Sequence, residues 1–151
     1  MSHSRIFELS KDKIDKDDYL TASYFDEGSF VGEIAEYTSD SEDRDADIDW
    51  LKKVTDGVFE ITKDGKVRFL NGGKVKYFAN RYNSFMAKVR DMTIEQFSSG
   101  SYDAYVLREI IDDKFSFYVY ADNGLDTLDS FIRDAAEGTE YYIGGIVDYK
   151  F

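Results

Sequence analysis

The chain has 151 residues, 42% hydrophobic and 33% charged, a balance that excludes a disordered polypeptide and suits one folded unit. It has no Cys and one His, so disulfides, thiolate nucleophiles and cysteine-held zinc are excluded, and His3 in the terminal run MSHS is a poor start for a triad or metal site. The net charge of −12 opposes nucleic acid and anionic lipid at long range and favours basic proteins as partners.

In chain order, Arg5 to Leu9 reads as a short strand. The stretch from there to Tyr37 fits helical turns or strand equally well, because Gly32 weakens either reading. Ser39 to Leu51 is acidic and is taken up below. VFEI, TKDG and KVRFL form a hairpin around Asp64-Gly65. Asn71-Gly72-Gly73 breaks the chain. Lys74 to Met92 follows helical spacing, with Val75, Phe78, Tyr82, Phe85, Met86 and Val89 on one stripe. TIEQF after Thr93 reads as a short turn. Residues 104–120 suggest a second hairpin turning near Asp113-Lys114. A helix is expected from about Asp126 to Ala136, with Gly138 as its stop. YYIGGIVDYKF reads as a final strand bent at Gly144-Gly145. The predicted fold class is α+β: a mostly antiparallel sheet with about three helices packed on it, in a single acidic domain over residues 1–151.

No apolar run reaches the length of a membrane helix, and the N-terminus lacks a signal core; a soluble, cytoplasmic protein is expected. Charge is unevenly spread. Residues 1–50 hold 15 acidic and 5 basic side chains, residues 51–100 hold 5 and 10, and residues 101–151 hold 11 and 4. Such asymmetry points to a charged interaction surface.

The densest run of acids is Asp40, Glu42, Asp43, Asp45, Asp47 and Asp49. A calcium loop starting at Asp43 would need Gly at its sixth position and Glu at its twelfth; Ile48 and Val54 stand there. A helix with an acidic leader accounts for the nearest acids. Ser39 or Ser41 would cap it, Ile48, Leu51 and Val54 would face the core beside Trp50, and Asp49 would pair with Lys53. A strand would align four carboxylates on one face, but Asp is poor in strands. A third reading is mimicry of nucleic acid. Carboxylates three or four apart on a helix are spaced like phosphates, and neighbouring aromatics would anchor the face.

Other constellations are weaker. Asp112-Asp113-Lys114 and Asp148-Tyr149-Lys150 have the acid–Lys character of metal-dependent nucleases, but such tripeptides arise freely in this composition. The two Gly pairs fit no phosphate loop. Lys63, Lys66, Arg68, Lys74, Lys76 and Arg81, lying among aromatics, would suit single-stranded nucleic acid, but the overall charge opposes it. No cofactor is implied.

In size, acidity, aromatic content and lack of Cys, the chain resembles the small acidic inhibitors of phages and conjugative elements, including anti-CRISPR and antirestriction proteins. That resemblance implies a non-enzymatic DNA mimic that binds the nucleic-acid site of a defence nuclease, such as a CRISPR effector or restriction enzyme. The expected contact residues are Asp40, Glu42, Asp43, Asp45, Asp47 and Asp49, with Tyr37 and Trp50 as anchors. The partner would be a basic nucleic-acid-binding protein, with no direct binding to nucleic acid or membrane. The alternative is a structural or accessory interaction domain whose partner does not bind nucleic acid.

Overall fold

The strand expected at Arg5 to Leu9 is present as β1, His3–Ser10, an interior strand of a seven-stranded sheet. The computed structural model describes residues 2–25, 27–99, 105, 107–108, 111, 116–122 and 124–151. The other sheet strands are β2 (Tyr37–Asp40), β3 (Phe59–Ile61), β4 (Val67–Phe69), β5 (Tyr118–Ala121), β6 (Gly124–Thr127) and β7 (Glu140–Lys150). Their order is β3-β4-β7-β1-β5-β6, and β2 also pairs with β7. All described pairings in this sheet are antiparallel except that of β1 with β5, where Ile6 meets Tyr118 and Glu8 meets Tyr120. The fold is thus α+β with a mostly antiparallel sheet.

Four helices have full bounds: α1 (Arg44–Val54), α2 (Gly73–Asp91), α3 (Ile94–Ser98) and α4 (Leu128–Asp134). Leu51 of α1 and Leu128, Phe131 and Ile132 of α4 are buried on one face of the sheet with Phe7, Leu9, Val119 and Ile146; Trp50, Tyr77 and Phe78 pack against them. The other face carries Ile6, Tyr118, Val147 and Tyr149. It is covered by Leu20, Phe25, Phe30 and Ala35 from the stretch that the sequence leaves ambiguous. That stretch holds two single 3-10 turns, Lys16–Asp18 and Ala22–Tyr24, and a short irregular segment around Phe30–Glu33. Aromatic edge-to-face contacts fill this layer, with Phe30 5.1 Å from Tyr118 and 5.0 Å from Tyr149 between ring centroids.

The final strand bends at Gly144-Gly145, as its sequence suggests. Phe7 pairs with Ile146, and Leu9 with Ile143, so Glu8 stands opposite two residues of β7. This is a β-bulge, and one extra residue reverses which side chains face which layer. Before it, Tyr141 and Ile143 join the helical face; after it, Ile146 does, while Val147 and Tyr149 turn to the other. Both glycines are closely approached, Gly144 by the end of a side chain and Gly145 by backbone, so the steric requirement is strict at Gly145. A Cβ at Gly144 would overlap the Glu8 carboxylate, and one at Gly145 would overlap the Leu20 carbonyl oxygen.

Several local expectations are corrected. The N-cap of α1 is Asp43, whose carboxylate accepts the Ala46 N–H at 3.1 Å, rather than Ser39 or Ser41. Val54 is half exposed, not core. On α2, Tyr77 and Phe78 reach the core, but Val75 and Tyr82 of the proposed stripe are 75% and 63% exposed. The turn of the second hairpin expected over 104–120, at Asp113-Lys114, lies outside the described residues. Tyr105, Leu107, Arg108 and Ile111 are helical, and the hairpin is β5 with β6, whose tight turn places Asp122 at φ 51°. Aspartate tolerates that left-handed region better than most residues. Asp112, Asp113 and Lys114 lie outside the described residues. The first hairpin forms as expected, with Gly65 at φ 79° in its turn.

Candidate functional site

The acidic run does not make one exposed face. Asp47 is only 6% exposed. Its carboxylate accepts from Arg5 Nε at 2.5 Å and from the Ser41 hydroxyl. Asp40 sits in β2 and accepts the Ala22 N–H at 2.7 Å. Asp43 caps the helix, and it stays exposed together with Asp40, Glu42, Asp45 and Asp49. Trp50 is partly buried and packs against the core. Its ring stacks on Phe7 with 6.1 Å between centroids and lies under the Arg5 guanidinium at 4.2 Å. Tyr37 remains exposed at the start of β2, with the Lys150 ammonium 5.2 Å from its ring centroid. The stretch therefore ties α1 to β1 and β7, through Arg5 as the shared cation. Asp148 lies 3.8 Å from the same guanidinium. Burial, then the charge of Asp47, pushes its carboxyl above the usual range, and its Oδ1 is buried without a hydrogen bond among the described residues.

Part of the basic middle pairs with flanking acids. Arg81 binds Asp129 of α4 at 2.7 Å, and Arg68 binds Glu140 at 2.6 Å and Glu60 at 2.7 Å.

One hollow, about 490 Å³, lies at the acidic stretch beside Asp49, Lys52, Lys53 and Asp56, and others lie over the carboxyl ends of the parallel pair β1 and β5. Two strands that leave a sheet at the same end and diverge create a crevice there, where ligands bind in other sheets with parallel strands. One lobe, about 380 Å³, opens toward the helical face between Leu9, Ser10 and Lys11 at the end of β1, Asp122, Gly124 and Asp126 of the β5–β6 hairpin, and Phe131, Asp134, Ala135 and Ala136 at the end of α4. A second, about 430 Å³, opens toward the other face between Glu8, Asp18, Tyr19, Tyr24 and Tyr120. A smaller hollow shares Leu9, Ser10 and Asp122 with the first lobe and Glu8 and Tyr120 with the second, and the three neighbouring hollows are termed the trough below.

The trough is electronegative. Among the described residues, Asp122, Asp126 and Asp134 line the first lobe against the single cation Lys11, and Glu8 and Asp18 line the second with no basic residue. Glu8 is fixed by two backbone donors, Leu20 N–H and Gly145 N–H, each 2.9 Å from Oε1. The Tyr120 phenol is pushed up to about 12, chiefly by its hydrogen bond with Tyr24 and then by burial. Tyr141, on the wall of the first lobe, is raised by burial and by the charge of Asp122. Of the second lobe, Asp18, Tyr19 and Tyr24 are among the acids and aromatics that the sequence offers as extensions of the acidic face. Glu8 and Tyr120 are not, and their nearest signal is the Gly144-Gly145 bend, which admits Glu8 and Leu20.

Residues 77–138 match the family model described as PmbA/TldA metallopeptidase domain 1. The match spans less than half of the chain and includes α4, β5, β6 and most of the first lobe. The comparisons with curated proteins and with solved structures gave no match. The matched segment points to a different family from the phage and mobile-element inhibitors. It overturns that resemblance, and with it the anti-CRISPR or antirestriction DNA mimic. The alternative, a structural or accessory interaction domain whose partner does not bind nucleic acid, fits no better.

A metallopeptidase name implies a metal, and the donors of this chain do not fit one of that kind. Catalytic zinc in peptidases is held by His with a carboxylate. The one His here, His3, begins β1, at the opposite end of that strand from the trough. Among the described residues no three His, Cys, Asp or Glu side chains come together as a ligand group. No described helix is long and apolar enough to cross a membrane.

Proposed function

We propose that this chain is a non-catalytic polypeptide-binding domain, of the kind that accompanies a peptidase centre rather than forming one. The observation that carries the reading is a coincidence of place. The segment that matches a metallopeptidase domain 1 is also the segment that builds most of the first lobe, through Asp122, Gly124, Asp126, Phe131, Asp134 and Ala136. Beside this lobe runs β6, an end strand of the sheet, whose outer backbone groups suit strand addition by an extended chain. The donor set argues against hydrolysis by the chain itself. The charge of the trough, like that of the whole protein, favours polypeptide over nucleic acid or anionic lipid. We take the protein to work in the cytoplasm, where a chain without Cys loses nothing to the reducing poise.

The test is binding without turnover. A fluorescein-labelled unstructured peptide should gain anisotropy on titration with the protein. Ala136→Trp, an exposed position on the lobe wall, should weaken that binding about tenfold or more by obstruction, while the circular dichroism stays unchanged. Incubation with zinc should release no peptide fragments. Zinc-dependent cleavage by the purified chain would overturn the non-catalytic reading, and absence of peptide binding would overturn the whole.

A further inference from the structure

We propose that the second lobe of the trough is a cage for a cationic side chain, the ammonium of Lys or the guanidinium of Arg, on the polypeptide that the trough receives. The inference rests on the polypeptide-binding reading and names which residue types it selects. Three tyrosines and two carboxylates line this lobe, with no basic side chain among its described lining residues, although Arg44 approaches Tyr19 from outside that lining. Tyr24 and Tyr120 meet edge to face, 5.3 Å between centroids and 69° between planes, so their rings form two walls of a corner. Tyr24 is 57% exposed and presents its ring to solvent. A cation seated against tyrosine faces is held by the ring quadrupole, and removal from water strengthens that attraction. Glu8 is immobilised behind the corner by the Leu20 and Gly145 N–H groups, which both bind Oε1. Asp18, on the exposed 3-10 turn, supplies the second negative charge. The phenol of Tyr120 keeps its proton at neutral pH. Tyr19 shows that rings of this lobe accept such a partner: the Arg44 guanidinium lies 5.0 Å from its centroid.

The experiment compares two labelled peptides that differ only in charge, one with Lys and Arg, the other with norleucine and citrulline in their places. Anisotropy should give the charged peptide about tenfold tighter binding, the size expected of a partly desolvated cation–π contact with a carboxylate nearby. Tyr24→Leu and Asp18→Asn, both at exposed positions, should each reduce that preference to about threefold or less, and Tyr24→Phe should retain it. Tetramethylammonium and arginine amide should each move the ring signals of Tyr24 and Tyr120 in NMR spectra. Equal binding of both peptides would overturn the cage and leave the polypeptide-binding reading standing. If neither peptide binds, that reading falls and the small cations decide: ring shifts uphold the cage, and their absence removes it.

Discussion

The carboxylate of Glu8 accepts the backbone N–H of Gly145, 137 residues later in the chain, at 2.9 Å. The same oxygen accepts the N–H of Leu20 at 2.9 Å. One side chain thereby holds together the β1–β7 bulge, the start of the aromatic cover and the floor of the second lobe.

This junction is both structural and functional, and its parts separate by mutation. Gly145→Ala would drive a methyl group into the Leu20 carbonyl, which is backbone and cannot swing aside. Overpacking of that kind costs about 1–3 kcal/mol, so urea unfolding should show a lower midpoint with an unchanged slope. Glu8→Gln keeps an acceptor oxygen for both N–H groups and should cost clearly less than Glu8→Ala, which strands them at about 1–3 kcal/mol each.

The Arg5 cluster sets up opposite outcomes for its two acids. Asp47 binds Arg5 at 2.5 Å and is nearly buried, so Asp47→Ala leaves the guanidinium with Asp148 alone, 3.8 Å away. A loss of about 3 kcal/mol is expected. Asp148 behaves the other way, because burial and Asp47 raise its folded pKa above the unfolded value. The folded state then binds more protons than the unfolded one. The favourable contribution is complete below the unfolded pKa and is lost as pH rises through the folded one. Asp148→Asn should accordingly be more stable than the parent at neutral pH, with the gap closing as pH falls below the ordinary Asp range. Parallel urea titrations of the two proteins across that range measure it; a gap that widens on acidification would contradict the assignment.

The acidic leader of α1 should prove uneven when dissected. Asp43→Ala removes the cap on Ala46 N–H and should cost about 1 kcal/mol. Asp49→Asn, on the exposed side, should shift stability by no more than about 0.5 kcal/mol. Thermal unfolding of the two variants distinguishes the capping role from general charge relief.

Much of the sheet and helix framework was readable because local chemistry dictated it. Asp64-Gly65 demanded a hairpin turn, Gly138 followed a helix with Leu128, Phe131 and Ile132 on one side, and Gly144-Gly145 marked the bend in β7. The misreadings came where tertiary contacts decided. Ser41 was a plausible cap, but its hydroxyl is taken by Asp47, and Asp43 caps instead. Asp47 was read as surface because nothing nearby in sequence reveals that Arg5, 42 residues away, neutralises it. The strand pairing of Tyr118 to Ala121 with Gly124 to Thr127 was hidden by an apolar run that suited an earlier hairpin equally well. The trough was invisible for a related reason. It arises from the parallel alignment of β1 with β5, whose paired residues Ile6 and Tyr118 are far apart in the chain, and no short motif encodes such a register.

The central claim is that the trough over the carboxyl ends of β1 and β5 receives a polypeptide. Its most direct test is a titration of the labelled protein with an unstructured peptide, followed by amide and tyrosine-ring shifts in NMR spectra. The account predicts saturable changes concentrated at Ser10, Tyr24, Tyr120, Gly124 and Ala136. Shifts confined to the exposed acids Glu42, Asp45 and Asp49, or no shifts at saturating peptide, would contradict it.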